Sequence, residues 1–364
     1  KITYSYRELT LIWVVPMFKK LFLSSLFFLF VFLLSNEYFD WVKYNQIEPV
    51  NLPIPQKSDN SLVPSQKNKT DTISSLKESS VIPNDNLNKA DLVSLTTELN
   101  IIYIDISPRI INSGEFFKVE ISGNVNDNTS ILFLDKSFPI FRDSLGNFST
   151  YIGVPLETKE GIYKLTIPKL SKTTTIFNNN NDIQILKKDR GFDYIELSHE
   201  VLSTSFSENA VKRDAEIRSE TSLMFSVGQY WSGSFDFPCL GSITTMFGVG
   251  RSYNKQPISS FHLGLDIGAD QYTKVFAPAK GIIKRVDFSP LRGMLIYLDH
   301  GAGVQSSFAH LSSTLVSAGE IVEKGDLIGL VGNSGASTGP HLHWEVSVWG
   351  VLTDPLAWTQ DSLF

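Results

Sequence analysis

The sequence predicts a mostly β protein in three parts: an N-terminal signal or membrane-anchor helix, an immunoglobulin-like β-sandwich, and a C-terminal antiparallel β domain. Three observations carry that prediction. One predominantly apolar, Phe/Leu-rich run stands near the start, behind two lysines. From residue 102 onward, aliphatic residues alternate with polar ones at the period of two that half-buried strands require. Glycine and asparagine clusters break that alternation at short intervals, as turns between strands do.

The elements follow in order. Lys19 and Lys20 precede an apolar stretch from Leu21 to Leu34, and Asn36, Glu37 and Asp40 close it. A basic flank before an apolar run keeps its charged end inside, so residues 1–40 read as a retained anchor or an exported signal. Within residues 41–98 the sequence turns, from about Asn51, to Ser, Asn, Lys, Asp, Thr and Pro with scattered aliphatics. Such a segment buries too little apolar surface to offset its ordering entropy and reads as a flexible linker. Over residues 99–188, Ile102, Ile104 and Ile106, then Phe117, Val119 and Ile121, then Tyr163, Leu165 and Ile167 alternate with turn signals between them. About seven short strands at that spacing predict the sandwich. Residues 189–232 form a helical connector. Its best helix runs from Ser207 to Ser222, with Ser207 as cap, Ala210, Val211, Ala215 and Ile217 as apolar positions, and the charges as a solvated face. Residues 233–364 return to strands around Gly241–Gly248, Val275–Val286, Met294–Asp299, Val304–His310 and Leu327–Val331.

Composition narrows the function classes. The formal charge of −6 supplies no basic footprint for nucleic acid. A single cysteine, Cys239, rules out an internal disulfide and a cysteine-rich metal site, and reads as a small buried apolar residue.

Four of the six histidines fall in patterned groups: His262-Leu-Gly-Leu-Asp266, Phe308-Ala-His310-Leu, and Thr338-Gly-Pro-His341-Leu-His343-Trp-Glu345. On a strand, His341 and His343 share a face. Paired imidazoles, further histidines and a carboxylate four residues after one of them suit a zinc site, because catalytic zinc takes three N/O ligands and keeps one position open. Pro340 and Gly339 are expected to shape a tight loop that delivers His341, with Gly339 in a conformation closed to other residues. Glu345 has two readings, a hydrogen-bond partner of a ligand or a plain strand residue. His300 reads as structural.

These motifs resemble the lysostaphin-type, LytM-like zinc metallopeptidases that cut peptide bridges in bacterial cell walls; the likeness covers roughly residues 235–358. The resemblance implies zinc (Zn2+) as cofactor, held by His262, Asp266 and His343. It implies that His310 and His341 are catalytic non-ligand histidines flanking the metal-bound water that attacks the amide. Asn254 matches a position that lines the substrate groove. The implied substrate is the peptide stems of peptidoglycan, with the bond between D-alanine and diaminopimelate preferred over a glycine bridge. The absence of a His-Glu-x-x-His helix sets aside a glutamate-base mechanism. Together with the N-terminal run, the resemblance places the protein in the cell envelope, on the periplasmic side of the inner membrane, with that membrane and protein regulators as partners. A competing reading is a catalytically silent regulator that activates a wall amidase; the complete ligand set favours the enzyme.

Overall fold

The computed structural model describes residues 101–361, apart from 124, 126–128, 143–146, 169–174 and 178–180. The expected anchor or signal and the linker lie outside the described residues. Among those described, no helix is long and apolar enough to cross a membrane.

The protein is mostly β, with few helices. Its C-terminal part is built on a ten-stranded sheet in which every pairing is antiparallel. Along the sheet run Ser242–Thr245, Leu265–Gly268, His341–Val348, Val304–Thr314, Gly293–Gly301, Gly281–Ser289 and Ile321–Val322. Three further strands attach at its flanks: Lys274–Phe276, Leu327–Val331 and Val351–Thr353. Residues 101–186 hold ten short strands among those described, in a five-stranded sheet, a three-stranded sheet and a hairpin. The sequence reading undercounts them because some turns lack glycine. Leu134 and Asp135 both adopt positive φ (47° and 56°) in the two-residue turn between Ser130–Phe133 and Lys136–Pro139.

The predicted alternation matches the burial. Ile102, Ile104 and Ile106 are buried on the strand Ile101–Ser107, and Phe117, Val119 and Ile121 on its antiparallel neighbour Phe116–Gly123. Each such side chain contributes roughly 1.5–3 kcal/mol when removed from water. This core is continuous with the C-terminal sheet through aromatic contacts. Phe116 stacks on Trp358 at 3.9 Å between ring centroids, and the Trp349 indole donates to the Tyr151 carbonyl at 3.0 Å.

The connector holds the expected helix, Glu208–Thr221, with the Ser207 hydroxyl accepting from the Ala210 amide at 3.3 Å. Its face differs from the expectation. Val211 and Ala215 are exposed, whereas Ala210, Asp214, Ile217 and Thr221 are buried at proper helical spacing. An aspartate therefore occupies a core position, and the charges of this helix are not simply a solvated face. The connector also contains a strand, Phe192–Ile195, which pairs in parallel with Gly250–Tyr253.

His300 is fully buried, bonded to the Lys280 carbonyl at 3.0 Å and the Ser306 hydroxyl at 2.8 Å. Burial pushes its imidazole down to about 4. A depressed histidine favours the neutral form in the fold, so its contribution is complete above about pH 6.5 and is lost as pH falls toward 4. That loss amounts to about 3 kcal/mol. Urea midpoints between pH 7 and pH 4 should fall more steeply for the wild type than for His300→Gln; parallel curves would contradict this.

Candidate metal centre

Register brings the motifs together. Strand His341–Val348 lies between Leu265–Gly268 and Val304–Thr314, with Asp266 opposite His343, Gly268 opposite His341, and Ala309 opposite His343 from the other side. His341 and His343 share one face, as period two requires. His262 sits just before the Leu265–Gly268 strand, and its backbone exchanges hydrogen bonds with Gly248 and Val249.

His262, Asp266 and His343 converge. His262 Nε2 lies 2.9 Å from Asp266 Oδ1 and 3.0 Å from His343 Nδ1, and the last two atoms are 2.7 Å apart. All three residues are buried, and they form a group with metal-ligand spacing. The other ring nitrogens have partners. His262 Nδ1–H donates to the Met246 carbonyl at 2.9 Å, and His343 Nε2–H donates to Glu345 Oε1 at 3.1 Å. In those neutral tautomers, two imidazole lone pairs and a carboxylate oxygen face one another with no hydrogen among them. Such a set repels itself unless a proton or a metal cation sits in its midst. The two nitrogens and one oxygen suit the borderline-soft zinc ion, so the residues present fit that metal.

Surrounding groups hold the trio in place. Arg251 Nη2 donates to the second carboxylate oxygen of Asp266 at 3.0 Å. Burial alone would raise the Asp266 carboxyl, yet the two imidazoles hold it far below the usual range. Burial pushes His262 down to about 4. His343, against its own burial, is held above the ordinary imidazole value by Asp266 and Glu345.

His310 and His341 lie beside the trio, with ring centroids 4.7 Å apart, and His310 is 5.9 Å from His343. His310 Nδ1–H donates to the Ser334 carbonyl at 2.7 Å, and His341 Nδ1–H to the Gly339 carbonyl at 2.9 Å. Both therefore keep Nε2 free, and that of His341 lies 3.7 Å from Asp266 Oδ1. His310 has φ of +61°, a left-handed backbone uncommon outside glycine and found at sites where the surroundings impose it. Burial pushes its imidazole down to about 3, so it is neutral near pH 7.

Asn254 is not drawn into this group. Its amide is engaged by the connector, accepting from the Leu197 amide at 2.8 Å and donating to the Leu197 carbonyl at 3.2 Å. Gly339 also departs from expectation: it does not adopt positive φ, and a methyl there would meet nothing within 4 Å. The left-handed turn in this loop falls on Gly335, at +76°. Sequence reasoning missed Arg251 and the charged residues behind Glu345. The one available signal was Asp214, a charge at an apolar-stripe position.

Residues 260–355 match the model for peptidase family M23. That span contains all five converging residues. It is a peptidase family M23 domain. Over 96 residues the chain is 44% identical to an uncharacterized metalloprotease of Haemophilus influenzae, covering 26% of this chain and 20% of that protein. It is 34% identical over 94 residues to the peptidoglycan DD-endopeptidase ShyC of Vibrio cholerae (26% and 22%). It is 36% identical over 95 residues to the murein hydrolase activator EnvC of Escherichia coli (26% and 23%). The matches thus span about a fifth of the length of these curated relatives. In fold, the chain is similar to a putative peptidase M23 from Pseudomonas aeruginosa, at 23% identity and a TM-score of 0.50, over 70% of this chain and 96% of that one.

Proposed function

We propose that the protein is a zinc-dependent endopeptidase that hydrolyses peptide cross-links of bacterial peptidoglycan. The single observation behind this is the buried His262, Asp266 and His343 trio with two further imidazoles at its side. His262 Nε2, Asp266 Oδ1 and His343 Nδ1 would hold the ion. When bound, zinc supplies Lewis acidity that polarises a scissile carbonyl and makes water more acidic. The chain's own contribution is proton handling. His310 Nε2 and His341 Nε2 are the free nitrogens beside the trio, positioned to accept a proton from water, stabilise charge on the substrate oxygen and return the proton to the leaving amine. A closed structural zinc site has no need of that second pair of imidazoles.

The substrate assignment rests on similarity to the Vibrio cholerae peptidoglycan DD-endopeptidase. For this protein we propose the bond between D-alanine and diaminopimelate as the one cut, in preference to a glycine bridge. Similarity to the Escherichia coli activator supports the second reading, a silent regulator of a wall amidase. The intact ligand trio favours hydrolysis. The β-rich region before the domain is proposed to be an immunoglobulin-like module that positions or covers the site. Residues 1–40 are proposed to tether or export the protein to the periplasmic face of the inner membrane, and residues 41–98 to give it reach. Asn254 is proposed to border the substrate groove through its loop rather than through its engaged amide.

Mass spectrometry of muropeptides released from purified sacculi tests this reading. The full chain with zinc should convert cross-linked dimers to monomers with new free amines. Intact dimers, from a preparation that carries zinc, would favour the regulator. Metal removal gives a second check. A strong chelator should abolish release and added zinc restore it, whereas iodoacetamide should leave it unchanged, because Cys239 is buried and burial pushes its thiol up to about 12. Inactivation by the alkylating agent would contradict the zinc reading.

A further inference from the structure

The helix Glu208–Thr221 lies outside the residues that match the peptidase family, yet two of its side chains bond to residues that hold the site's histidines. Arg218 meets Glu345 with both ends of its fork, Nη2 donating to Oε1 at 2.6 Å and Nη1 to Oε2 at 3.0 Å. Glu345, only 2% exposed, accepts from His343 Nε2 on Oε1 and from the Ser307 hydroxyl on Oε2 at 2.7 Å. One turn earlier, Asp214 accepts from Arg218 Nε at 3.1 Å and, on its other oxygen, from Arg292 Nε at 2.6 Å. The backbone carbonyl of Arg292 in turn accepts from the His310 amide at 2.9 Å. The helix therefore reaches His343 through the half-buried Arg218 and the buried Glu345, and His310 through the buried Asp214 and Arg292, whose backbone carbonyl makes the last link.

We propose that Arg218 is a positioning residue for His343, acting through Glu345, so that the connector helix is part of the metal-binding unit. This rests on the reading of His343 as a zinc ligand. An imidazole presents Nδ1 to a metal only while its Nε2–H partner stays in place, and such partners fix tautomer and ring orientation. A two-point guanidinium clamp fixes the plane of the Glu345 carboxylate in a way that a point charge cannot. The rival explanation is that Arg218 merely docks the helix. The helix supplies its own control, because Arg213 pairs with Asp287 at 2.9 Å and ties the same helix to the sheet with no contact to Glu345.

The test is zinc affinity of the full chain, measured by competition with a chromophoric chelator. Arg218→Met should bind zinc about 10–100-fold more weakly. Arg218→Lys should fall between that variant and the wild type, which also covers the case of a poorly folded Met variant. Arg213→Met, which loses only a surface pair, should stay within about twofold of the wild type. In a Glu345→Gln background, Arg218→Met should add no further loss. The absorption bands of the cobalt-loaded protein should shift in Arg218→Met and not in Arg213→Met. Wild-type affinity in Arg218→Met, or equal losses in Arg218→Met and Arg213→Met, would overturn the positioning role; a zinc-free His343→Ala measured alongside would show that the ligand reading still stands. Undiminished zinc binding by His343→Ala would overturn that reading and this inference together.

Discussion

Replacing His310 by alanine is expected to leave zinc bound and to lower turnover by about 10²–10⁴-fold, the range that positioned general acid–base groups supply. The ring is committed on one side only. Its Nδ1–H donates to the Ser334 carbonyl, its backbone amide to the Arg292 carbonyl, and Nε2 remains free beside the trio. Near pH 7 that nitrogen carries a lone pair rather than a proton, the form a proton acceptor must have. None of the close contacts among His262, Asp266 and His343 passes through His310. Its removal should therefore spare metal content while kcat collapses. Steady-state rates on a cross-linked muropeptide, paired with elemental zinc analysis, check both halves. Undiminished kcat would remove His310 from the chemistry, and loss of zinc would make it a ligand.

The second large effect is expected at Gly264, the middle residue of the His262-Leu-Gly-Leu-Asp266 motif. A Cβ built there would lie 2.6 Å from the Trp344 carbonyl oxygen and 2.8 and 2.9 Å from Cε1 and Nε2 of His343. The carbonyl belongs to a central strand and has little room to yield, and the imidazole edge is the one that bonds Glu345. Gly264→Ala should thus turn the His343 ring, weaken zinc binding by at least about tenfold, and destabilise the fold by about 1–3 kcal/mol through overpacking. Gly339→Ala is the matched control: a methyl there meets nothing, so stability should stay within about 0.5 kcal/mol of the wild type. Chelator competition and urea titration of both variants measure the contrast. Similar behaviour of the two glycines would refute the packing argument.

The C-terminal strands and the five converging side chains were legible because their signals are local. His341-Leu-His343 declares a shared face by period two, and Leu327–Val331 declares a buried strand by composition. Which of the residues meet was carried by resemblance rather than by spacing, since the register of Asp266 against His343 joins positions 77 residues apart. The reach of Arg218 to Glu345 across 127 residues left no local trace. Its charge looked like solvated helix surface because propensity does not distinguish a wet arginine from one clamped to a buried carboxylate. The turn at Leu134 and Asp135 was hidden for a similar reason, as tertiary context imposes positive φ on residues that do not advertise it. The bonds of the Asn254 amide to Leu197, across 57 residues, likewise left no local trace.

Native mass spectrometry of the purified full chain, counting zinc per molecule in five single-alanine variants, bears most directly on the metal centre. One zinc is expected in the wild type, His310→Ala and His341→Ala, and none in His262→Ala, Asp266→Ala and His343→Ala. Zinc retained by any of the last three at wild-type affinity, or lost equally from all five, would contradict the division between ligands and proton-handling histidines.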